Sequence, residues 1–454
     1  MKSLWVIRFF SGLFFLIIFI VFFFLFKYGF NLIEKIQIIP LIFFVKTSVA
    51  GILIIFFLFF MTLLFGRVYC SFLCPLGIIQ NLIWNLKKFF LFNIPHLDIK
   101  IEKIFHLTFA FILFVFALIG YASFIGIFDP FSIFTRFLSV FSFKVDGRNT
   151  VPYIFAILFF SFIVISVLFS GRWFCNTLCP PGAILRIISR FSIFKLTITE
   201  NCSSCRLCAP LCPAFCIDIK NSKIDFERCL MCFECVNACK SNAFAIKRIS
   251  KSSFSKTRRD FLLSGFSFFI LSLIMKKSLN LKEPVMPPGA LNRRRFHSLC
   301  ISCHNCISVC PTGVILPSIK EYGLKGFLQP YLDFSISFCE YECSRCTKVC
   351  PTGALIPLDK KKKVITAIGK ANLNKEYCIV YSKRKDCGAC AEQCPTQAVH
   401  MIEWEGLFAP ELDIELCIGC GACERVCPSV LAGNKSKAII VEGLVQQKEL
   451  KLNN

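Results

Sequence analysis

Four stretches near the start of the chain, residues 9–26, 47–66, 104–128 and 149–171, contain no Asp, Glu, Lys or Arg and are apolar on every helical face. An amphipathic helix of a soluble protein keeps a polar stripe, so this pattern predicts helices that cross a lipid bilayer. At 1.5 Å per residue the shortest spans about 27 Å, against roughly 30 Å of hydrocarbon. Past residue 196 the long apolar runs give way to short mixed segments punctuated by cysteine. They predict small strands and helices with little apolar core.

Hydrophobic residues make up 56% of the 454 and charged residues only 18%, with 55 Phe and a mean hydropathy of +0.66. A fully soluble chain is excluded. The 52 Lys and Arg exceed the 28 Asp and Glu by 24, which in a soluble protein would raise nucleic acid as a partner. Here the basic residues flank apolar stretches, where they encode topology. No nucleic-acid partner is expected. Lys2, Arg8, Arg67, Lys87, Lys88, Lys100, Lys103, Arg172, Arg186, Arg190 and Lys195 outnumber Lys27, Lys35, Lys46, Arg136, Lys144 and Arg148 at the opposite helix ends. Both termini of the four-helix unit are therefore expected in the cytoplasm.

The second and fourth stretches end alike, in Gly66-Arg67-Val68-Tyr69-Cys70-Ser71-Phe72-Leu73-Cys74-Pro75 and Gly171-Arg172-Trp173-Phe174-Cys175-Asn176-Thr177-Leu178-Cys179-Pro180. Residues four apart share a helix face, so each repeat presents two thiols to one ligand or one redox partner. Cys70, Cys74, Cys175 and Cys179 are thus candidate redox thiols. His106 is the one histidine inside a predicted span and a candidate to bind a quinone carbonyl; a helix histidine also serves as a plain interhelical polar contact. One histidine cannot build a bis-histidine haem relay, so any electron wire must use cysteine. Asp129 and Asp146, just outside the third and fourth spans, are candidate proton acceptors by position alone.

Of the 29 cysteines, 24 fall into six groups of four. Cys202, Cys205, Cys208 and Cys212 read C-x-x-C-x-x-C-x-x-x-C-P, followed by Cys229, Cys232, Cys235 and Cys239. Three cysteines in two-residue steps wrap one [4Fe–4S] cubane, and the fourth ligates the other cluster of a pair. Zinc uses no third C-x-x-C step. One expected set is Cys202, Cys205 and Cys208 with Cys239; the other is Cys229, Cys232 and Cys235 with Cys212. Four more groups follow: Cys300, Cys303, Cys306, Cys310; Cys339, Cys343, Cys346, Cys350; Cys378, Cys387, Cys390, Cys394; and Cys417, Cys420, Cys423, Cys427. Spacing leaves open whether adjacent or nested groups pair. The total is six clusters, with Cys216 left as a packing residue. Cys300-Ile301-Ser302-Cys303-His304 also fits a haem-attachment motif, but Cys306 and Cys310 complete a cubane group there.

Between the halves, Thr257-Arg258-Arg259-Asp260-Phe261-Leu262 precedes an apolar run to Met275. Twin arginines before a short apolar run read as a Tat signal kept as an anchor, or as a fifth span with basic flanks. Either sends the C-terminal block outward. Lys360-Lys361-Lys362-Lys363 reads as a solvated loop. The expected fold is an α-helical membrane domain, four spans plus one signal or anchor helix, joined to α+β ferredoxin-like multi-[4Fe–4S] domains. Its divisions are a membrane domain at 1–195, a cytoplasmic two-cluster domain at 196–248, the signal or anchor at 249–277 and a periplasmic four-cluster domain at 278–454.

With these motifs, residues 1 to about 248 resemble the NapH-type quinol dehydrogenase membrane subunit. Residues from about 255 resemble the NapG-type or MauM-type periplasmic ferredoxin, through the twin arginines, Pro287-Pro288-Gly289-Ala290-Leu291 and the four cysteine spacings in order. The two are usually separate polypeptides, and this chain is similar to a fusion of them. The resemblance implies a quinol dehydrogenase component of the bacterial inner membrane. It would draw on the lipid-borne quinone pool and pass electrons to a periplasmic acceptor, a nitrate reductase or its cytochrome c subunit. Two other readings remain: an accessory redox protein for maturing another periplasmic metalloenzyme, as MauM and MauN resemblance allows, and a cytoplasm-facing iron–sulfur carrier.

Overall fold

The computed structural model describes residues 2–25, 37–44, 49–87, 99–141, 150–219, 221–248, 283–433 and 436–450. The twin-arginine segment with its apolar run, and Asp146, lie outside the described residues.

The first half is helical. In chain order it contains α1 (Lys2–Leu25), α2 (Ile38–Phe44), α3 (Val49–Phe65), α4 (Tyr69–Phe72), α5 (Pro75–Lys87), α6 (Ile99–Leu118), α7 (Ala122–Phe128), α8 (Pro130–Val140), α9 (Val151–Ser170), α10 (Trp173–Thr177) and α11 (Pro180–Ser189). By length and composition, α1 and α9 are long and apolar enough to cross a membrane. Both are compatible with a membrane anchor, and their outer faces expose Phe10, Phe14, Leu158, Phe162 and Phe169. Large exposed apolar patches mark surfaces that meet a membrane or another protein.

The stretch expected to form the third span is broken. α6 stops at Leu118, Gly120 turns the chain at φ +98°, and α7 restarts at Ala122. α8 then leaves α7 at 78°. The chemistry of the bend is local. Pro130 opens α8, where its missing N–H costs nothing. Asp129 caps that helix, its Oδ2 accepting from the Ser132 amide and hydroxyl at 2.8 Å each. Arg136 folds back to donate to the carbonyls of Gly126 and Ile127 at the end of α7. A buried helix end without such partners would be costly.

The cysteine-rich blocks consist of short two-stranded antiparallel sheets. In the first, β1 (Phe194–Ile198) pairs with β4 (Phe244–Arg248), and β2 (Ile217–Asp218) with β3 (Lys223–Ile224). In the second, β5 (Ile315–Pro317) pairs with β6 (Pro330–Leu332), β7 (Thr366–Leu373) with β10 (Ile439–Glu449), and β8 (Val399–Trp404) with β9 (Leu407–Leu412). The lysine run is not a loop. Lys360–Ile365 is a short helix capped by Asp359, and Lys363 is buried with Nζ 3.2 Å from the Tyr341 carbonyl. A carbonyl at the right depth and a neighbouring thiol, Cys339, give that ammonium its partners.

The two blocks dock at opposite ends of α9. The first holds the start of α1, where Glu234 Oε1 accepts from Trp5 Nε1 at 2.9 Å and Arg8 Nη2 at 3.0 Å. It also holds the end of α9, where the Arg172 amide donates to the Pro213 carbonyl at 2.7 Å. The second touches the start of α9, with the Phe155 and Phe327 rings 6.2 Å apart, and packs on the bent pair, where Thr135 Oγ1 donates to the Cys303 carbonyl at 3.0 Å. Phe155 and Arg172 are separated by about 25 Å of helix at 1.5 Å per residue.

Candidate metal centres

Three cysteines in two-residue steps can face one point only if the chain coils around that point. The backbone does so with left-handed residues before and after the second cysteine. Ser204 and Arg206, Met231 and Phe233, Ser302 and His304, and Gly419 and Gly421 all have φ between +51° and +81°. The groups with altered first gaps lack the device, as Ser344 at −122° and Gly388 at −117° show. Most L-residues pay about a kcal/mol for that conformation, so the loops are held by what they surround and by their flanking packing.

The quartets converge. Cys202, Cys205, Cys208 and Cys239 line one pocket. Cys212, Cys229, Cys232 and Cys235 line another. In the second block, Cys339, Cys343 and Cys346 share a pocket with Cys310, and Cys378, Cys387 and Cys390 one with Cys427. Cys350 acts electrostatically on Cys300 and Cys306, and Cys394 on Cys417, Cys420 and Cys423. Adjacent groups are therefore interlocked, each lending its Cys-Pro cysteine to its neighbour. The Cys339 amide donates to the Cys420 carbonyl at 2.9 Å, linking the two interlocked pairs.

Among the described residues no group of three or more His, Cys, Asp or Glu is gathered tightly enough for a metal ion. Four thiols lining one pocket, spaced more widely than a single ion requires, suit a larger inorganic core. Donors already point at the sulfurs. The Ala243 amide lies 3.3 Å from Cys239 Sγ, and those of Leu355 and Ala371 lie 3.4 Å from Cys350 Sγ and Cys417 Sγ. Ser241, Thr312, Thr352 and Thr396 place a hydroxyl 3.5 to 3.7 Å from the cysteine two positions earlier. Such donors stabilise charge on sulfur and tune potential.

Cys216 is more than packing. It lines the second cavity and its Sγ is 3.5 Å from that of Cys212. The contact between the two thiols lowers the Cys212 pKa and raises that of Cys216. Only a three-dimensional view finds this, because Cys216 stands outside every group spacing.

His106 is enclosed: Nε2 is 2.9 Å from the Cys179 carbonyl and Nδ1 is 3.5 Å from Arg186 Nη1. Asp129 is engaged as the helix cap of α8. His304 Nε2 lies 2.9 Å from the Leu328 carbonyl.

A family model for a 4Fe-4S binding domain matches residues 47–93 and 153–199, one for a 4Fe-4S dicluster domain matches 299–354 and 383–430, and a second 4Fe-4S binding domain matches 229–243. Two uncharacterized proteins of Methanocaldococcus jannaschii are similar. MJ0749 is 34% identical across 41% of this chain and 67% of its own length, and MJ0750 is 30% identical across 41% and 74%. The chain belongs to the family of MJ0749 and MJ0750. Its homologues also include ferredoxin-type proteins. The putative electron transport protein YccM of Escherichia coli is 29% identical over 47% of this chain and 59% of its own length. The ferredoxin-type protein NapG of the same organism is 32% identical over 31% and 64%. No solved structure matches. Multiple [4Fe–4S] clusters and a role in electron transport follow for this chain.

Proposed function

We propose that this chain is a quinol dehydrogenase component that carries electrons across a membrane, in the manner of a NapH-type subunit fused to a NapG-type ferredoxin. In this reading four apolar segments span the bilayer and six [4Fe–4S] clusters are held, two on the cytoplasmic side and four on the periplasmic side. The acceptor is a periplasmic reductase such as nitrate reductase. The observation that carries it is the docking of two cysteine-rich blocks at opposite ends of α9, about 25 Å apart.

A [4Fe–4S] cluster supplies reversible one-electron transfer, which suits emptying a two-electron donor in steps. The chain's own residues supply order and distance. Interlocked quartets keep two centres in each pair at a constant separation, and the Cys339–Cys420 backbone bond holds the two outer pairs together. Glu234 and Glu102, buried against Arg8 and Arg228, clamp the inner block to the helices. The bent α7–α8 pair gives the outer block a polar seat at Ser123 and Thr135 inside an otherwise apolar surface.

The test is reduction of the full chain in proteoliposomes by a menaquinol or ubiquinol analogue, followed by cluster absorbance under anaerobic conditions. Bleaching by quinol is expected, with electrons delivered to a membrane-impermeant dye on the far side. Clusters that dithionite reduces but quinol does not would reject the reading.

A further inference from the structure

The two repeats that read as separate thiol pairs along the chain meet in the fold. Cys70, Cys74, Cys175 and Cys179 are all buried free thiols in one cluster of side chains. They lie within electrostatic reach of one another: Cys175 acts on Cys70, Cys70 and Cys175 on Cys74, and all three on Cys179. The repeats are exchanged around them. Arg172 Nη1 lies 3.5 Å from both Cys70 O and Cys175 Sγ, and Arg67 Nη2 lies 3.0 Å from Cys175 O. The glycine three residues after each final cysteine repeats the symmetry, with Gly77 N 3.4 Å from Cys74 Sγ and Gly182 N 3.4 Å from Cys179 Sγ. A Cβ at Gly77 would strike the Cys70 carbonyl, and one at Gly182 the Cys175 carbonyl.

The surroundings are rich in donors and positive charge. Arg67 and Arg172 are both 0% exposed, and among the described residues neither forms an ion pair with a carboxylate. Three buried donors, Arg67 Nε, Gln80 Nε2 and Asn81 Nδ2, meet no acceptor. Buried charge and orphaned donors are expensive unless something anionic answers them. The matched 4Fe-4S binding domain covers 47–93 and 153–199, within which the cysteines are these four.

We propose that Cys70, Cys74, Cys175 and Cys179 together hold a seventh cluster, a four-iron cubane shared between the two repeats. Four thiols release their protons on binding, and the assembled centre carries about −2 when oxidised, which Arg67 and Arg172 balance. A single tetrahedral ion needs four sulfurs about 2.3 Å from one point. Here Cys175 Sγ reaches instead to Gln80 Oε1 at 3.0 Å, and no three ligands gather that tightly among the described residues. The site adjoins the second ferredoxin quartet, since Ser71 Oγ donates to the Leu230 carbonyl, between Cys229 and Cys232, at 2.7 Å. The inference depends neither on quinol as donor nor on the sidedness of the blocks.

The test is iron, acid-labile sulfide and zinc per chain, with Mössbauer spectra, on the full chain purified anaerobically in detergent. Cys70→Ser and Cys175→Ser, in opposite repeats, should each lose about four iron and four sulfide, and the double variant no more than either single. Unchanged iron, additive losses, or loss of one zinc in place of iron would overturn the proposal. Should the serine variants not fold, the intact chain still decides: about 28 iron per chain supports a seventh cubane and about 24 removes it.

Discussion

Arg67, in the first repeat, holds its Nη2 3.0 Å from the carbonyl oxygen of Cys175, in the second. Its Nη1 meanwhile donates to Asn176 Oδ1 at 2.7 Å and reaches the Glu227 carbonyl at 3.3 Å. One guanidinium therefore joins the two helix-end loops to each other and to the inner cysteine block. A planar fork with several fixed donors can do this, and an ammonium cannot.

Arg67→Met should lower the stability of the helical half by about 3 kcal/mol, because three buried acceptors lose a charged donor. Arg67→Lys should restore only part of it. Thermal unfolding of the full chain in detergent, read by loss of cluster absorbance, checks both; equal midpoints for Arg67→Lys and the parent would contradict the bridging role.

Glu234 is buried with Arg8, their side chains 2% and 3% exposed, and also accepts from Trp5. Glu234→Gln keeps the shape but leaves the Arg8 charge without its carboxylate, a loss of about 3 to 5 kcal/mol at that contact. The inner block should then exchange amide hydrogens faster than the outer one. Uniform exchange across both blocks would show that this pair does not clamp them.

Burial lowers the pKa of His297 from its usual 6.5, while its Nδ1–H donates to Gln329 Oε1 at 2.5 Å. The folded ring stays neutral while the unfolded ring takes a proton below about pH 6.5. The unfolded state then binds more protons, so the stability this residue contributes is present above that pH and declines as pH falls toward the lowered folded value. Unfolding of the outer block between pH 7 and pH 5 should be less steeply pH-dependent in His297→Gln than in the parent. Parallel curves would exclude the histidine as a source of the slope.

Cys216 lies 3.5 Å from Cys212 at a cavity with four other thiols. Cys216→Ala should keep full iron content while shifting the potential of one centre, since it removes a polar neighbour of the Cys212 sulfur. Cys232→Ser should lose about four iron. Equal losses in the two variants would make Cys216 a ligand.

Much of the chemistry was legible along the chain because its grammar is local. C-x-x-C-x-x-C steps, the repeated G-R-x-x-C-x-x-x-C-P and all-round apolar stretches each depend on near neighbours, so composition and spacing alone pointed to thiolate clusters beside apolar helices. What was not legible depends on contacts far apart in sequence. The partner of Cys310 is a group beginning at Cys339, and the thiols of Cys70 and Cys175 come together from opposite repeats. Lys363 entered the interior because the Tyr341 carbonyl stood at the right depth. Local pattern decides which residues can bind metal or face lipid; which of them meet is decided by tertiary packing, where burial leaves each charge and donor only the partners that the fold brings to it.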